Sequence, residues 1–511
     1  MPEAQYDLLI VGGGINGAGI ARDAAGQGLR VLLCDKGDLG GATSSASSKL
    51  IHGGLRYLEH GEFLLVRKAL RERETLLKLA PHIVKPLRFV LPHDRSQRPG
   101  WMIRLGLFFY DNLAGRRRLG GSRGVNLRRA PEGAPLRDRY RRGFLYSDCW
   151  VDDSRLVVLN CLDAAERGAD IRPRTPCAAA RRTGEVWEAR LSGQHPGIVR
   201  ARALVNAAGP WVDTVLENSV GEKPARRLRL VKGSHIVVDR LYDGNHAYLL
   251  QNDDKRIVFA LPFLDRFTLI GTTDMLYEGD PDDVAISDEE TIYLCAAVNR
   301  YFKKTLGPRH VRWSFAGVRP LYDDGSVDAS AVTRDYAFQL DAPKDGAPLL
   351  SIYGGKLTTY RVLAEHALDR LLPEIGRKAV RWSGTEPLPG GDIPDGDFET
   401  FVGEFRETFP FLPAGLARRY ARLYGTRAYR MLRGARKMED LGEYIGHGLY
   451  QAEAEYLRRF EWADTEADIL WRRTKLGILA LAETGIPFEV GPPETATGAT
   501  EEKPTTRARP E

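Results

Sequence analysis

The sequence predicts an α/β protein with a Rossmann-like dinucleotide-binding domain, a domain built on a mainly antiparallel sheet, and an all-helical C-terminal domain. A buried apolar strand that leads into a glycine-rich turn at residues 12–17 predicts the first domain. Alternating apolar residues between about 228 and 326 predict the antiparallel sheet. Helical patterning from about 398 to 482 predicts the third domain. A chain of 511 residues is too long for one ordinary core, so several domains are expected.

The charge of the chain is concentrated in one segment. The composition, with 43% hydrophobic and 28% charged residues, is typical of a globular protein, and the net charge is +6. Residues 98–142 contain 12 arginines, no lysine and 3 acidic residues, which leaves the rest of the chain net negative. Such a segment is expected to face something anionic.

Cysteine usage and hydropathy limit the class of protein. The five cysteines are scattered and lack C-x-x-C spacing, which argues against a disulfide framework and a zinc site and fits a reducing cytoplasm. We therefore expect no metal. The N-terminus has no signal peptide pattern, and no apolar run reaches the roughly 18 residues of a spanning helix. Any membrane contact is expected to be peripheral.

The glycine-rich turn carries the first chemical prediction. It satisfies G-x-G-x-x-G with Gly12, Gly13, Gly14, Ile15, Asn16 and Gly17. Its first glycine permits a tight turn, its second lets backbone approach a pyrophosphate, and its third lets the next helix pack against the strand. The helix N-terminus presents N–H groups and partial positive charge to the diphosphate. Asp35, after the second strand, can accept a hydrogen bond from a ribose, and Lys36 follows it.

The segment at residues 40–49 distinguishes FAD from NAD. It is small and rich in hydroxyls, so backbone can pass close to a ligand and side chains can donate to phosphate or flavin oxygens. Its position directly after the ribose acid disfavours a flexible linker, and an NAD domain would continue with alternating helices and strands. We therefore expect FAD, with contacts from Thr43, Ser44, Ser45, Ser47 and Lys49.

Six segments then resemble those of the FAD-dependent, quinone-linked glycerol-3-phosphate dehydrogenases, in the same order along the chain. The resemblance covers about residues 5–485 and is much more specific than a cofactor fingerprint. The segments are Ser47–Glu59, Ile270–Asp274, Gly317–Leu321, Val332–Tyr336, Gly354–Arg361 and Trp471–Lys475.

The resemblance implies a two-dinucleotide-binding FAD domain and an enzymatic activity. That activity is oxidation of sn-glycerol 3-phosphate to dihydroxyacetone phosphate by hydride transfer to FAD, with electrons passed to a membrane quinone at the inner face of the cytoplasmic membrane. An oxidase branch that uses oxygen and an FAD-dependent amine or amino-acid oxidase are the alternatives. No nucleic-acid partner is expected, and formation of a homodimer is left open.

Further FAD contacts are expected where the family's later motifs match this chain. Small residues there would let backbone approach the cofactor, and a helix that starts near residue 356 would point its N-terminus at the flavin ring. Asp213 would also cap the following helix. The expected contacts are Gly54, Leu55, Ala207, Ala208, Gly209, Trp211, Asp213, Gly355, Lys356, Leu357 and Thr358.

A secondary alcohol that carries a phosphate dianion needs fixed cations and a base for the hydroxyl proton. Arginine suits phosphate because its planar group makes paired, always-charged contacts, so Arg56, Arg319 and Arg334 are the predicted phosphate ligands. His52 is the first choice for the base. Its rivals are His235 and the pair Thr273 and Asp274, while Tyr57 could bind substrate and Lys356 could act as a point charge.

An aromatic, apolar run at residues 101–110 is followed closely by three arginines at 116–118. Rings at the headgroup level and cations on anionic lipid are the features of an interfacial anchor, and the run is too short to span a bilayer. We expect it to dock the protein on a membrane, although a buried helix beside a solvated loop is the alternative.

The chain is therefore divided as follows. Residues 1–390 form the oxidoreductase region, with an FAD domain at about 1–90, 150–227 and 327–390 and a substrate- and membrane-facing domain at about 91–149 and 228–326. Residues 391–490 form the helical domain, with Trp462 and Trp471 expected in its core. Residues 491–511 are expected to be a disordered tail.

Overall fold

The computed structural model describes residues 4–94, 97–114, 118–224, 228–322 and 335–484. Arg334, Arg116, Arg117 and the expected tail at 491–511 lie outside these residues.

The strands form two large sheets and one small hairpin. In chain order they are β1 (Tyr6–Val11), β2 (Val31–Cys34), β3 (Leu50–Ile51), β4 (Val84–His93), β5 (Arg123–Asn126), β6 (Arg142–Val151), β7 (Asp170–Arg172), β8 (Cys177–Thr183), β9 (Val186–Leu191), β10 (Gly197–Asn206), β11 (Leu228–Asp239), β12 (His246–Gln251), β13 (Ile257–Phe263), β14 (Phe267–Gly271), β15 (Met275–Leu276), β16 (Val311–Tyr322), β17 (Ala337–Asp341), β18 (Leu349–Tyr353), β19 (Tyr444–Gly446) and β20 (Leu449–Tyr450).

The α-helices cover the faces of these sheets or form the C-terminal domain. They are α1 (Ile15–Gly26), α2 (Phe63–Leu79), α3 (Gly100–Asn112), α4 (Asp153–Glu166), α5 (Val212–Thr214), α6 (Asp288–Asn299), α7 (Tyr360–Leu371), α8 (Phe398–Thr408), α9 (Ala414–Tyr424), α10 (Ala428–Met431), α11 (Gln451–Glu461) and α12 (Leu476–Thr484).

The first sheet has eight strands, and its central part, in the order β18-β10-β1-β2-β7, is parallel. Antiparallel β17 flanks β18, and β9 and β8 extend from β10. Strand β1 is apolar along nearly its whole length because both faces of a parallel sheet are covered. Helices α1, α4 and α7 pack on one face in a continuous core. The predicted dinucleotide-binding fold is confirmed.

The second sheet has ten strands and is mainly antiparallel, as predicted. Its main path is β15-β11-β14-β13-β12-β4-β6-β3, with β16 on β11 and β5 on β6. The pairing of β12 with β4 is parallel. Because β4 pairs with β6 from Val84 onward, this sheet begins before the boundary that the sequence predicted near residue 90.

The C-terminal domain has its own core, with aromatic residues from α8, α9 and α11. The prediction of an all-helical domain needs one correction, because β19 and β20 form a hairpin. The two tryptophans were also predicted wrongly as anchors of this core. Trp462 packs against the core of the first sheet, and the Trp471 ring stacks on Trp313 of β16 at 5.4 Å. Both rings therefore join the helical domain to the rest of the molecule.

Candidate functional site: a dinucleotide site beside an arginine-containing pocket

Four predicted segments converge at one edge of the first sheet. Val11 is in register with Cys34 of β2 and with Asn206 of β10, and Asn206 is in register with Ser351 of β18. The carboxyl ends of these parallel strands therefore lie side by side, which is where open α/β sheets bind ligands. The segments that follow the strands begin at residues 12, 35, 207 and 354.

The glycine turn is packed so tightly that side chains are excluded. A Cβ on Gly17 would lie 1.9 Å from the carbonyl oxygen of Gly12, so only glycine lets α1 approach the strand this closely. Gly12 has φ of +114°, and a Cβ there would lie 2.4 Å from the carbonyl oxygen of Ala207. The roles predicted for the first and third glycines of the motif are thus visible in the contacts of Gly12 and Gly17.

Asp35 is bound by backbone of two segments. Its carboxylate accepts hydrogen bonds from the N–H groups of Gly13 at 2.6 Å and Gly37 at 2.7 Å. Burial raises the pKa of Asp35 to about 6, although the two N–H groups oppose the shift. Lys36 lies over the Trp211 ring at 3.8 Å and pairs with Asp282 of the second domain at 2.5 Å.

Residues 38–49, here called the cofactor loop, lie between the two sheets. The Ser44 hydroxyl accepts a hydrogen bond from the Ile15 N–H at the start of α1. The Thr43 hydroxyl donates to the carbonyl oxygen of Val318 in β16 at 2.7 Å. Ser45 donates to a carbonyl within the loop. The loop thus joins the glycine turn to the second sheet.

Ser47 and Lys49 of the loop both bind the start of α4. Asp153 accepts hydrogen bonds from the Ser47 hydroxyl at 2.7 Å and from the buried Lys49 ammonium at 2.8 Å. Burial lowers the pKa of Lys49 even though Asp153 opposes the shift. Both side chains are therefore held within the protein, where they shape the backbone of the loop.

Other predicted cofactor residues have structural partners. Asn16 donates to the Gly354 carbonyl, which ties α1 to the turn after β18. Ala207 donates its N–H to Val11, and Gly209 has φ of +56°. The carboxylate of Asp213 accepts from the Leu228 N–H, so its predicted role as a cap for the following helix is wrong, because Asp213 lies inside α5.

The donor set fits FAD. The glycine turn leads directly into the N-terminus of α1, where helices favour anions such as a diphosphate. Asn16 Oδ1 and Trp211 Nε1 are buried and have no hydrogen-bond partner among the residues that the structure describes. Buried polar atoms normally have partners, so both are suited to a bound dinucleotide.

Arg319, on β16, is held by a local polar pair. Its guanidinium donates to Asp274 at 2.5 Å and to the Thr272 hydroxyl at 3.1 Å. Arg319 is in register with Val231 of β11, and its side chain extends over Gly233 of the same strand, where a Cβ would lie 2.4 Å from an Arg319 nitrogen. The absence of a side chain at Gly233 therefore creates the space for the guanidinium.

His235 lies on the same face of β11, under the cofactor loop. Its Nε2 is 2.8 Å from the Ser48 hydroxyl, and its ring stacks on Phe315 at 4.8 Å. Burial, together with the charges of Arg319 and Lys49, lowers the pKa of His235 well below its usual value. His235 is therefore neutral at physiological pH.

Thr273 and Glu290 support this pocket from behind. Thr273 donates to Glu290 at 2.7 Å and accepts the Ser234 N–H, so its hydroxyl fixes the backbone beside Asp274. Glu290 also accepts from Ser234 and pairs with Lys232 at 2.8 Å. The sequence analysis missed Glu290. Its signal was the capping box with Ser287 at the start of α6.

His52, Tyr57 and Lys356 form the other wall. The His52 N–H donates to the Thr358 hydroxyl, and its ring contacts Phe259 edge to face. The Lys356 ammonium lies 3.8 Å from the centre of the Tyr57 ring. The helix N-terminus predicted here begins as a short 3-10 turn that starts at Leu357 and continues into α7.

The two walls meet across adjacent strands. Phe259, which contacts the His52 ring, is in register with Gly271, and Gly271 is in register with His235. Phe259 and His235 are therefore two strand spacings, or roughly 10 Å, apart. A Cβ on Gly354 would lie 3.7 Å from the Pro320 carbonyl, next to Arg319. Arg56 is half-buried on the 3-10 helix Leu55–His60 that carries Tyr57.

Family models match two parts of the chain. Residues 7–361 match the FAD dependent oxidoreductase family, and residues 383–485 match the C-terminal domain of alpha-glycerophosphate oxidase. The match to the first family covers more than half of the chain and all of the strands that form the dinucleotide edge.

Relatives extend these matches over nearly the whole chain. A glycerol-3-phosphate dehydrogenase from Pseudomonas aeruginosa is 55% identical over 93% of this chain and 92% of its own. A D-erythritol 1-phosphate dehydrogenase from Brucella abortus is 53% identical over 92% of this chain and 94% of its own. A glycerol-3-phosphate dehydrogenase from Bacillus halodurans, solved in complex with FAD, is 28% identical with a TM-score of 0.73, covering 95% and 92% of the two chains. The chain therefore belongs to the FAD-dependent oxidoreductase family, in the group that contains the bacterial glycerol-3-phosphate dehydrogenases.

Proposed function

We propose that this protein oxidises sn-glycerol 3-phosphate to dihydroxyacetone phosphate with FAD as its cofactor. The observation that carries the proposal is a set of polar side chains beside the dinucleotide edge, in which Arg319 and His235 lie on one face of β16 and β11 and His52, Tyr57 and Lys356 form a second group across the neighbouring strands. Each group combines a cation with a histidine or a tyrosine, which suits a phosphorylated secondary alcohol that needs a phosphate ligand and a base. The named activities of the closely related dehydrogenases agree with it.

The side chains are assigned distinct roles. Arg319, oriented by Asp274, binds the phosphate together with Arg56 and with Arg334, which lies outside the described residues. His52 accepts the hydroxyl proton, and neutral His235, whose Nε2 is bonded to Ser48, holds the substrate oxygen through Nδ1. Lys356, whose ammonium lies over the Tyr57 ring, would place positive charge beside a bound isoalloxazine. FAD, when bound, supplies the two-electron acceptor for the alcohol carbon.

A four-carbon polyol phosphate is a second candidate substrate. The relative from Brucella abortus is named for D-erythritol 1-phosphate and is nearly as similar to this chain as the first relative. Both substrates present an alcohol and a phosphate, so the proposed phosphate ligands suit either. The difference is one hydroxymethyl group, which a pocket discriminates by only about 1–3 kcal/mol unless it binds the extra hydroxyl.

We further propose that the protein docks on the inner face of the cytoplasmic membrane and passes electrons to a quinone. An apolar surface, here called the docking patch, supports this: it consists of exposed side chains at the start of α2 and along α3 that face solvent on one side of the molecule. The patch comprises Phe63, Leu64, Trp101, Met102, Leu105, Phe108 and Phe109.

The patch is continuous and strongly exposed. Leu64 is 81% exposed and Trp101 is 67% exposed. The rings of Phe63 and Phe109 pack edge to face, with their centres 6.4 Å apart. Exposed arginines follow at Arg118 and Arg123. Within the described ranges, the structure contains no helix that combines the length and apolar character needed to cross a membrane. Aromatic side chains with adjacent cations suit the interface of an anionic bilayer.

The activity is tested on the purified flavoprotein without oxygen. Glycerol 3-phosphate, but not glycerol, should bleach the flavin absorbance, and a soluble quinone should restore it. Faster bleaching by D-erythritol 1-phosphate would move the substrate to the second candidate, and reoxidation by oxygen as fast as by quinone would favour the oxidase alternative. An oxidised flavin with both phosphates but bleaching with an amino acid would overturn the proposal. His52→Gln should slow bleaching much more than it weakens substrate binding.

Docking is tested by co-sedimentation with vesicles that contain anionic lipid. The double substitution Trp101→Ser and Phe108→Ser should release the protein, and Ile292→Ser, at an exposed apolar site on α6, is the matched control. Equal binding of the wild-type protein and the double variant would refute docking through the patch.

A further inference from the structure

The C-terminal domain reaches the cofactor loop through residues 461–475, here called the clamp segment. Asp38, at the start of the loop, is 6% exposed and accepts two parallel hydrogen bonds of 2.7 Å from the guanidinium of Arg473. Arg472 pairs with the same carboxylate. These contacts join residues that are more than 430 positions apart in the sequence.

The clamp segment also holds the N-terminus of α4, which in turn holds the loop. Lys475 pairs with Asp152 and donates to the Ser154 hydroxyl at 2.9 Å. Ser154 donates to the Arg472 carbonyl at 2.7 Å. Adjacent Asp153 binds the buried ammonium of Lys49 in the loop. The same helical turn therefore bonds to the clamp segment on one side and to the cofactor loop on the other.

The clamp segment is itself fixed within the C-terminal domain. Arg473 donates to the Glu461 carbonyl at 2.8 Å, and the Glu461 carboxylate pairs with buried Arg155 of α4. Buried, hydrogen-bonded ion pairs are costly to break one partner at a time, because the other charge is left without compensation. The loop position is thus set by charges that belong to the C-terminal domain.

We propose that the clamp segment retains FAD, with Arg473 and Lys475 as positioning residues that act through Asp38 and Asp152. The proposal rests on the proposed FAD contacts of the cofactor loop. The loop sits against the glycine turn through Ser44 and against β16 through Thr43, so a shift of its start at Asp38 would displace both. Because binding linkage is reciprocal, bound FAD should also stabilise the docking of the clamp segment.

The test measures FAD release from the holoenzyme as the rise of flavin fluorescence on dilution. Arg473→Met should release FAD at least about tenfold faster than the wild-type protein, and Arg473→Lys, which keeps one charged contact, should fall between them. Arg419→Met is the control, since Arg419 pairs with the fully buried Glu453 inside the C-terminal domain, away from the loop, although its own side chain is 19% exposed. Release rates of Arg473→Met within twofold of the Arg419→Met rate would overturn the proposal.

Ser44→Val distinguishes a failure of the proposed FAD contact with the cofactor loop from a failure of the clamp segment. If Ser44→Val leaves FAD release unchanged, the proposed placement of FAD on the loop fails. If Ser44→Val accelerates release but Arg473→Met does not, the clamp alone fails.

A second measurement needs no substitution and covers the case in which Arg473→Met does not fold. Amide hydrogen exchange in residues 461–475 of the wild-type protein is compared for the holoenzyme and for the same preparation after FAD has been dialysed away. Slower exchange in the holoenzyme, with exchange in α8 and α9 unchanged, supports the clamp. Equal exchange rates in residues 461–475 in both states would refute it.

Discussion

The glycine turn at 12–17 and the cofactor loop at 38–49 adjoin the same dinucleotide edge but are held in different ways. The turn is fixed by backbone contacts with nearby strands, as in the approach of Gly17 to Gly12. The loop is fixed by ion pairs with distant residues, as in Asp38 with Arg473. The difference teaches that short-range backbone contacts are enough to form the glycine turn, whereas the position of the cofactor loop depends on ion pairs with the C-terminal domain.

Asp35, which binds the glycine turn through the Gly13 N–H, and Asp38, in the cofactor loop, respond to protons in opposite directions. Burial raises the pKa of Asp35 to about 6. Its contribution to the free energy of unfolding is therefore complete below the unfolded value near 4 and is lost as pH rises through 6. The arginines outweigh the burial of Asp38 and lower its pKa to about 2, so its contribution is present above the unfolded value near 4 and is lost as pH falls toward 2.

The largest effect is expected from a substitution in the glycine turn, which should abolish flavin binding. In Gly17→Val the first added carbon would lie 1.9 Å from a backbone carbonyl that cannot move without breaking β1. We expect protein without bound flavin, measured by the absorbance near 450 nm after gel filtration. Gly403→Ala is the control, because a Cβ on that exposed glycine of α8 meets nothing within 4 Å. Full flavin content in Gly17→Val would show that the turn tolerates side chains.

Breaking the ion pair between Asp38 of the cofactor loop and Arg473 should have a large effect on the free energy of unfolding. Removing one partner of the buried pair, in Arg473→Met, should lower the free energy of unfolding by about 3–5 kcal/mol. Asp38→Asn should cost a similar amount, and the double variant should cost less than the sum because the two substitutions remove the same contact. Denaturant unfolding monitored by circular dichroism measures all three. Strict additivity would mean that the pair is not coupled.

A smaller, pH-dependent effect is expected at His82, where the segment after α2 meets the C-terminal domain. Its ring is fully buried, and neither ring nitrogen has a hydrogen-bond partner within the part of the chain that the structure describes. Burial, with Arg155 and Arg422 nearby, lowers the pKa of His82 to about 3. Its contribution to stability is complete above the unfolded value near 6.5 and is lost as pH falls toward 3, by up to about 1.4 kcal/mol per pH unit.

His82→Leu tests this directly, since leucine is similar in volume and cannot take up a proton. Thermal unfolding between pH 7 and 4.5 should show a shallower loss of stability in the variant than in the wild-type protein. Parallel pH profiles for the two proteins would exclude His82 as the group responsible.

The smallest effect is expected from an ion pair outside both regions. Arg181 is 77% exposed and pairs with Glu188 across β8 and β9. Because solvent screens such a pair, Arg181→Gln should change the free energy of unfolding by no more than about 1 kcal/mol and leave FAD release unchanged. A loss comparable with that of Arg473→Met would mean that burial does not explain the difference between the pairs.

Sequence patterns predicted the fold class and the glycine turn because each depends on short-range periodicity, whereas the segments that follow β10 and β18 were predicted mainly from the family resemblance. The order strand, turn, helix, strand and acid placed Asp35 and Gly17 correctly at the dinucleotide edge. The residue types alone could not tell which hydroxyls contact a ligand and which support the protein. From the sequence, Ser47 was expected to bind the cofactor and Thr273 the substrate. In the structure, each hydroxyl instead donates to a buried carboxylate.

Long-range partners explain the wrong predictions. Trp462 and Trp471 have the spacing of helical core residues, but their rings pack against the first sheet and against Trp313. Similarly, Arg472 and Arg473 were identified only as part of a family motif, because nothing near them in the sequence indicates Asp38 as their partner.

The sequence by itself determined the glycine turn of the dinucleotide edge and the mainly antiparallel second sheet, since strand and turn preferences act over a few residues. The candidate substrate residues followed from the resemblance of their segments to a known family. The tertiary structure alone decided that Arg319 is oriented by Asp274, that His235 is neutral and that the cofactor loop is tied to the C-terminal domain. These properties depend on burial and on charges brought together from distant positions. Electrostatic energies follow distance in space and exclusion of water, neither of which the order of residues specifies.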